Sequence, residues 1–448
     1  METTPTGELT PSGRKYVSGT AVELNAASLS GYVFASWEGD VTGETTPKTI
    51  TMNSNKNIIA RFKILIPASY TLNISISPLG SGTVTPSSGP HSNGDIVAIT
   101  AEANSGYVFA SWEGDLNGSV NPTTITMNGN KNITATFILD DKIHGDYTGC
   151  GIGAVPCNGL PNEASIEAYE TMIGRGVAVV SFFRDFTYPF PASTCNTIHN
   201  HHGSIPMITW EPWRWNSTDT TYSLDHIIAG DCDAYIKSFA EAAKAWGGHF
   251  FLRFAQEMDG DWYPWSGSQN GSNEAATAKY KAAWMRIHAT FEALGVNNVT
   301  WVWCPNQYYL PHEDWNSPEA YYPGDDYVDW AATDGYSSPW SSCESFDVIF
   351  GDIYSKLTSL TSNNKPVMIA EMARSTEETH GGKPAWMSDA FDKIKSASYG
   401  KIKLYIWFNI DNSTVGQWDW RIESSASSEA MMHYIMTSEA SYYLSTIH

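Results

Sequence analysis

Two patterns of apolar residues divide the chain. Up to about residue 140, short stretches alternate apolar and polar residues between Gly, Asn and Pro turns, as in YTLNISI at residues 70–76. This alternation is typical of half-buried strands and predicts small β-rich modules. From residue 142 onward, short apolar runs alternate with helical stretches, which indicates a parallel sheet covered by helices.

The second part of the chain contains eight predicted strands and at least five predicted helices. The strands are residues 150–155, 177–183, 206–210, 250–255, 299–303, 328–333, 366–370 and 403–408, and the helices are 163–175, 233–246, 274–294, 346–360 and 384–397. Eight such strands predict a (β/α)₈ TIM barrel, whose working face lies at the carboxyl ends of the strands. A doubly wound sheet is the alternative, but no Gly-rich nucleotide loop follows the first strand.

The first part of the chain is an internal repeat. The decapeptide GYVFASWEGD at residues 31–40 recurs unchanged at 106–115, and residues 41–62 share 13 positions with 116–137. At the same offset, the counterpart of the strand at 70–76 would begin before residue 1, so we expect a first repeat that is truncated and lacks its opening strand. The predicted domains are therefore two repeat modules, 1–66 and 67–140, and a barrel, 142–448.

The repeats resemble the divergent internalin B-repeats of bacterial surface proteins, through the GYxFxxWxGD core and the closing NKNIxAxF strand. That resemblance implies a spacer or adhesion role. Trp37 and Trp112 are expected in packed cores rather than on sugar, because they sit inside an otherwise apolar motif. Asp40 and Asp115 are expected to form turns rather than to bind calcium.

Composition narrows the functional classes. The 26 Lys and Arg against 48 Asp and Glu give a formal charge of −22, which disfavours nucleic acid and anionic membranes as partners. No apolar run is long enough for a membrane span. The 18 Trp residues fit a surface that stacks on sugar rings. The six Cys match no metal or redox motif; a Cys150–Cys157 disulfide and free buried thiols are both open.

Acidic and aromatic residues follow nearly every predicted barrel strand, which is what glycoside hydrolysis requires. One carboxylic acid must protonate the leaving oxygen, and a second carboxylate must act beside the anomeric carbon. Glu257 and Glu371 follow the fourth and seventh strands, and we predict them as this pair. Predicted substrate-binding residues at the same strand ends are Tyr336, Trp262, Trp265, Gln256, Glu211, Trp213 and Trp407. Glu211, Trp213 and Trp215 follow the third strand, where a groove subsite is expected, and packing of Trp210 and Trp213 in the barrel mouth is an equal alternative.

Residues 252–267 (LRFAQEMDGDWYPWSG), followed by VTWVWCPN, YYPGDDYVDW and KPVMIAE, resemble glycoside hydrolase family 26. The resemblance implies a TIM barrel with Glu257 as acid/base, Glu371 as nucleophile, Tyr336 orienting that nucleophile and Trp262 stacking on substrate. Two positions depart from the family pattern: Gln256 replaces a common His, and Asp259 replaces a common Asn. We expect the charge of Asp259 to raise the pKa of Glu257 if the two are close.

The function predicted from the sequence is a secreted, retaining endo-β-glycanase that needs no cofactor and no metal. The WYPW, ITWEPW and YYPGDDYVDW segments resemble the endoglucanase branch of the family. That resemblance implies mixed-linkage β-1,3-1,4-glucan as substrate, with β-1,4-mannan second and β-1,3-xylan third. All three are neutral polymers that an acidic protein does not repel. The alternative from another class is a non-catalytic carbohydrate-binding or adhesion protein, attached through its repeats to a cell surface or cell-wall matrix. His199, His201 and His202 are expected to form a hydrated surface cluster rather than a metal site.

Overall fold

The computed structural model describes residues 7–65, 69–104, 107–139, 142–338, 344–361, 365–375, 382–415 and 418–447. The chain forms two compact units, Met1–Leu139 and Asp140–His448. Among the described residues, no helix combines the length and apolarity required to cross a membrane.

The first unit consists of short strands in two successive repeats. In the first repeat β2 pairs with β1 and β4, and β3 pairs with β5. In the second, β9 pairs with β7 and β11, β12 lies between β10 and β6, and β8 pairs with β6. The strands are β1 Gly7–Thr10, β2 Thr20–Ser28, β3 Tyr32–Gly39, β4 Lys48–Met52, β5 Ile58–Ile64, β6 Ser69–Ser77, β7 Gly82–Thr85, β8 Gly89–Ser92, β9 Ile96–Ala103, β10 Tyr107–Gly114, β11 Thr123–Thr126 and β12 Lys131–Leu139.

Each repeat packs around its tryptophan. Trp37 and Trp112 are both 2% exposed, and their indole N–H groups donate to the carbonyls of Thr45 (2.8 Å) and Val120 (3.1 Å). The prediction that both are core residues is confirmed. The Oδ2 atom of Asp115 accepts from the amide of Asn132 at 2.7 Å, and Asp40 makes the equivalent bond. Each of these aspartates therefore fixes the chain within its own repeat.

The two repeats differ at the strand that follows the tryptophan motif. In the second repeat β6 runs parallel to β12, and Ile133 and Phe137 on β12 are each 2% exposed. Within residues 7–65, β5 pairs with β3 alone, and Phe62, the counterpart of Phe137, is only half-buried. In the described part of the first repeat, β5 therefore pairs along one edge, whereas β12 in the second repeat pairs along both edges.

Hydrogen exchange should distinguish these two equivalent strands. Backbone amides in β5 that point away from β3 have no strand partner among the described residues, so we expect peptides over Ile58–Ile64 to exchange much faster than those over Lys131–Leu139. Peptides over β3 and β10, which have matching partners, serve as the internal control. Equal protection of β5 and β12 would contradict the difference.

The second unit is a closed barrel of eight parallel strands. The order is β14, β15, β16, β17, β18, β19, β20 and β13, and β13 pairs back to β14, while a short β21 adds to β13. The strands are nearly continuous apolar runs because helices cover their outer faces. They are β13 Cys150–Val155, β14 Val179–Asp185, β15 Ile205–Glu211, β16 Phe250–Phe254, β17 Val299–Trp303, β18 Trp330–Ser337, β19 Val367–Arg374, β20 Ile402–Phe408 and β21 Tyr443–Leu444.

Helices in this unit begin where polar side chains satisfy the first free amides. Asn162 and Ser165 form a capping box at α1, and Asn273 and Ser345 cap α5 and α7. The helices are α1 Glu163–Ile173, α2 Ala192–Asn200, α3 Leu224–Ala229, α4 Asp233–Trp246, α5 Glu274–Ala293, α6 Pro318–Tyr321, α7 Phe346–Leu360, α8 Gly382–Lys395 and α9 Ala426–Ser438.

The predicted barrel is confirmed, and its eight strands fall on β13–β20. The main difference is that β18 and β19 extend four residues beyond their predicted ends, so Tyr336 and Glu371 lie within strands rather than after them. The sequence analysis did not identify α2, α3, α6 or α9; α2, for example, contains few apolar residues. Cys150 and Cys157 are free thiols, so the suggested disulfide is not formed, and Cys343 lies outside the described residues.

Candidate active site

A cleft of about 790 Å³ opens at the carboxyl ends of the barrel strands, and both predicted catalytic glutamates line it. Aromatic and amide side chains form most of its walls. The lining residues are Phe183, Glu211, Trp213, Trp215, Glu257, Trp262, Tyr263, Asn306, Gln307, Tyr308, Leu310, Tyr336, Ser338, Glu371, Phe408, Asn412 and Trp420.

Glu371 is held by one cation and one phenol. It is 6% exposed, and its Oε1 accepts from the guanidinium of Arg253, while its Oε2 accepts from the hydroxyl of Tyr336. These two donors fix the carboxylate in one orientation at the cleft floor. A carboxylate with a fixed position and a buried cation beside it suits a nucleophile.

Arg253 connects this carboxylate to the barrel interior. Its side chain is buried, its Nε donates to Thr209 Oγ1 (2.9 Å), and its Nη1 donates to Asp334 Oδ1 and Oδ2 (2.7 and 2.8 Å). Burial alone would lower the pKa of Arg253, but Asp334 and Glu371 raise that pKa well above its ordinary value. The guanidinium therefore stays charged and compensates two buried carboxylates.

Glu257 occupies an unusual backbone position. It lies three residues after β16, and both Ala255 (φ 48°) and Glu257 (φ 52°) have left-handed backbone conformations. The amide of Glu257 donates to the carbonyl of Cys304 at 2.8 Å, which anchors this turn to the end of β17. Non-glycine residues rarely adopt such conformations, and they persist where the surroundings enforce them, often at active sites.

The carboxyl group of Glu257 is 9% exposed and accepts one hydrogen bond on each oxygen. The indole of Trp262 donates to Oε2 (2.8 Å) and the amide of Asn306 donates to Oε1 (2.6 Å). Burial, followed by the charge of Glu371, raises the pKa of Glu257 from 4.5 to about 7. One of the two carboxyl groups thus holds a proton near neutral pH, and the other is fixed by donors.

One wall of the cleft is organised by Glu211. This carboxylate is 4% exposed and accepts from Gln256 Nε2 (2.8 Å), from Trp213 Nε1 (3.1 Å) and from Trp215 Nε1. Burial raises the pKa of Glu211, and the three donors oppose that increase. Glu211 therefore sets the orientation of two tryptophans that face the cleft.

Comparison with known proteins identifies the family of the barrel. Residues 196–438, more than half of the chain, match the model of glycosyl hydrolase family 26. The chain belongs to this family. Residues 1–65 and 72–141 match the divergent InlB B-repeat domain.

Individual relatives of this family 26 chain include glucanases and mannanases. Endoglucanase H of Acetivibrio thermocellus is 37% identical over 293 residues, which are 61% of this chain and 29% of that protein. The chain thus spans less than a third of that relative's length. Among solved structures, the catalytic domain of a family 26 endo-β-1,4-mannanase from Bacillus sp. JAMB-750 has a TM-score of 0.50 at 15% identity and covers 66% of this chain and 87% of that chain. A Bacillus subtilis mannanase has a TM-score of 0.48 at 18% identity and covers 66% and 88%.

Three predicted substrate contacts are corrected by the structure. Trp265 is 1% exposed, stacks beneath Tyr263 at 4.3 Å between ring centroids, and donates to the carbonyl of Gln256. Gln256 itself is 1% exposed, and its Nε2 donates to Glu211. Trp407 is fully buried and donates to the carbonyl of Trp420 at 3.2 Å. These side chains support the cleft residues from behind.

Other predicted site residues do line the cleft, and several lining residues were missed. Tyr336, Trp262, Glu211 and Trp213 all face the cleft, although their contact with substrate stays a prediction. Among the missed residues, Asn306 follows a predicted strand, and that position was the signal that could have identified it. Trp215 and Trp420 lie after the third and eighth strands, where the sequence offers cleft residues, and both line the cleft; Tyr263, Phe183, Phe408 and Asn412 were missed.

The histidine cluster lies on α2 and its end, with no member lining the cleft. His201 Nε2 contacts Glu170 Oε2 at 2.8 Å, and Glu170 Oε1 also accepts from the amide of Val177. The carboxylates of Glu163 and Glu167 and the ring of His202 lie nearby. His201 is 7% exposed, so the expectation of a hydrated surface cluster is wrong for this residue, and its contact with Glu170 links α1 to the end of α2.

Asp259 does not act as predicted. It is fully buried, its Oδ1 accepts from the amide of Asn306 at 2.9 Å, and its Oδ2 has no hydrogen-bond partner among the described residues. Burial raises the pKa of Asp259 well above its ordinary value. In its protonated form Asp259 is neutral and has the shape of the Asn that family 26 commonly has at this position. The pKa of Glu257 is raised by burial and by the charge of Glu371 rather than by Asp259.

Asp259→Asn should therefore stabilise the barrel in a pH-dependent way. The folded wild type keeps a proton that the unfolded chain releases above pH ~4, so its stability falls as the pH rises from there. We expect the Tm of the variant to equal that of the wild type near pH 4 and to exceed it increasingly toward pH 8. Thermal unfolding followed by Trp fluorescence measures this. Asp261→Asn, at an exposed site, is the control and should show no such trend; a constant or reversed difference for Asp259→Asn would contradict a neutral Asp259.

Proposed function

We propose that this chain is a retaining endo-β-glycanase that hydrolyses internal β-1,4 linkages of mixed-linkage β-1,3-1,4-glucan. The observation that carries the proposal is the unequal pair in one cleft: Glu257, with a pKa of about 7, and Glu371, fixed by Arg253 and Tyr336. Different environments push two carboxyl groups toward different roles, one as acid and one as nucleophile.

The reaction takes place in two steps. In the first, Glu371 attacks the anomeric carbon while protonated Glu257 gives its proton to the leaving oxygen, so the glycosidic bond breaks and a glycosyl-enzyme ester forms. In the second, Glu257, now a carboxylate, takes a proton from water, and the water oxygen displaces Glu371. Each step inverts the configuration at the anomeric carbon, so the product keeps the original configuration.

The cleft fits an uncharged sugar polymer. Its walls carry Trp213, Trp215, Trp262 and Tyr263, whose rings offer flat apolar faces to sugars. Mixed-linkage glucan is favoured over mannan because of the WYPW segment and the similarity to Endoglucanase H. The second candidate is β-1,4-mannan, because the similar solved structures include an endo-β-1,4-mannanase.

The same proposal places the chain outside the cell, because plant cell-wall polysaccharides are too large to enter it. The two B-repeats then act as a spacer or as an attachment to a cell surface or cell-wall matrix. Their buried tryptophans leave that role to other surfaces of the repeats.

Release of reducing ends tests the substrate. We expect rapid release from barley mixed-linkage glucan, slower release from glucomannan, and least from β-1,3-xylan. Glu371→Ala should lose at least ~10⁴-fold activity while still binding glucan, and Glu313→Ala, an exposed carboxyl outside the cleft, should keep wild-type activity. Binding without release from any polymer would favour the adhesion alternative, and faster release from glucomannan would make the chain a mannanase.

The role of Glu257 is tested by changing the leaving group. An acidic phenol can depart from an aryl glycoside as a phenolate, without receiving a proton from the enzyme. In the first step, Glu257→Ala should therefore lose far more activity on glucan than on such an aryl glycoside. Pre-steady-state release of the phenol measures that step, and NMR of the first-formed sugar should show the β anomer. Equal losses on both substrates would argue against Glu257 as the acid, and an α anomer would indicate inversion.

A further inference from the structure

Both oxygens of Glu257 receive hydrogen bonds from groups that only donate at those atoms. Trp262 Nε1 donates to Oε2 at 2.8 Å and Asn306 Nδ2 donates to Oε1 at 2.6 Å. An indole N–H has no acceptor capacity, and the same holds for an amide NH₂ group. These bonds are stronger when Glu257 is a carboxylate than when it is protonated, because hydrogen bonds to a charged acceptor are roughly twice as strong.

The two donors differ in how they are held. Asn306 is 9% exposed and is tied down, since its amide N–H donates to Asp259 and its Oδ1 accepts from the amide of Tyr308. Trp262 is 44% exposed, and its ring lies against the cleft. A Cβ atom on Gly260 would come within 2.5 Å of the indole ring, so the indole rests directly on this glycine.

We propose that Trp262 is a positioning residue whose indole N–H stabilises the negative charge that develops on Glu257 as it gives up its proton. The inference rests on the proposed function. A donor aimed at an atom that becomes charged stabilises the transition state more than the ground state, and so raises the rate of the step. Stacking on sugar and support of the acid are then separate tasks of one side chain.

The titratable surroundings make Glu257 the group that responds near neutral pH. Burial keeps the pKa values of Tyr263, Tyr336 and Cys304 well above their ordinary ranges, so these groups stay protonated. Burial likewise raises the pKa of Asp259 well above its ordinary value. Burial also raises the pKa of Asp334, and the charge of Arg253 opposes that increase. Glu371 accepts from Arg253 and Tyr336, and Glu211 keeps its three donors. The alkaline limb of kcat/KM should therefore report Glu257.

Trp262→Phe removes the N–H and keeps an aromatic face. Since the Trp262 bond lowers the pKa of Glu257, its loss should shift the alkaline limb of the glucan kcat/KM profile upward by about one pH unit and lower the maximal kcat/KM on the order of 10-fold. On an aryl glycoside whose leaving group needs no proton, kcat/KM should stay near that of the wild type. A purely structural or stacking role would lower activity on both substrates and leave the limb unmoved.

Two further variants complete the test. Gly260→Ala pushes the indole away from Glu257 without removing it, and it should shift the alkaline limb in the same direction as Trp262→Phe. Trp213→Phe removes an indole N–H that bonds Glu211 instead, so its alkaline limb should match the wild type even if its affinity for glucan falls. If the wild type is active and the alkaline limb of kcat/KM is unchanged in both Trp262→Phe and Gly260→Ala, the inference about Trp262 is overturned and the proposed function is not. A wild type that is inactive on every substrate overturns the proposed function itself.

Discussion

The guanidinium of Arg253 lies inside the barrel and joins three other strands to its own strand, β16. Its contacts are Thr209 on β15, Asp334 on β18 and Glu371 on β19. A buried cation of this kind is tolerated only when carboxylates and hydrogen bonds replace its hydration, and the carboxylates depend on it in the same way. Loss of the Arg253 charge would therefore leave Asp334 and Glu371 buried without the cation that contacts both of them.

The sequence was sufficient for the barrel and for its carboxyl pair. Long apolar runs separated by helical stretches fix which residues become strands, and side chains at the ends of parallel strands meet at one mouth. The sequence did not separate Trp265 and Trp407, which are buried, from Trp215 and Trp420, which line the cleft. All four are aromatic residues in loops or at strand ends. Whether each side chain points into the cleft or into the core depends on the path of the loops, which the pattern of apolar and polar residues does not predict.

The protonation of Asp259 was equally invisible in the sequence. Its proximity to Glu257 suggested an added negative charge, but its complete burial reverses that expectation. The two repeats also show that burial depends on neighbours that are distant in the sequence. Trp37 and Trp112 have equal burial because their packing partners lie within each repeat. Phe62 is more exposed than Phe137, and among the described residues β6 pairs with β12 while no strand takes that place beside β5. Local sequence determines local packing, and non-local neighbours determine the rest.

Glu257 combines a left-handed backbone with a carboxyl group removed from water. Left-handed backbone in a non-glycine residue costs on the order of 1–3 kcal/mol, and a buried ionisable group adds to that. Selection for thermal stability alone would therefore favour glycine at position 257 and give a more stable protein without catalytic activity. Any thermostabilisation campaign on this barrel has to screen for turnover at the same time as for folding.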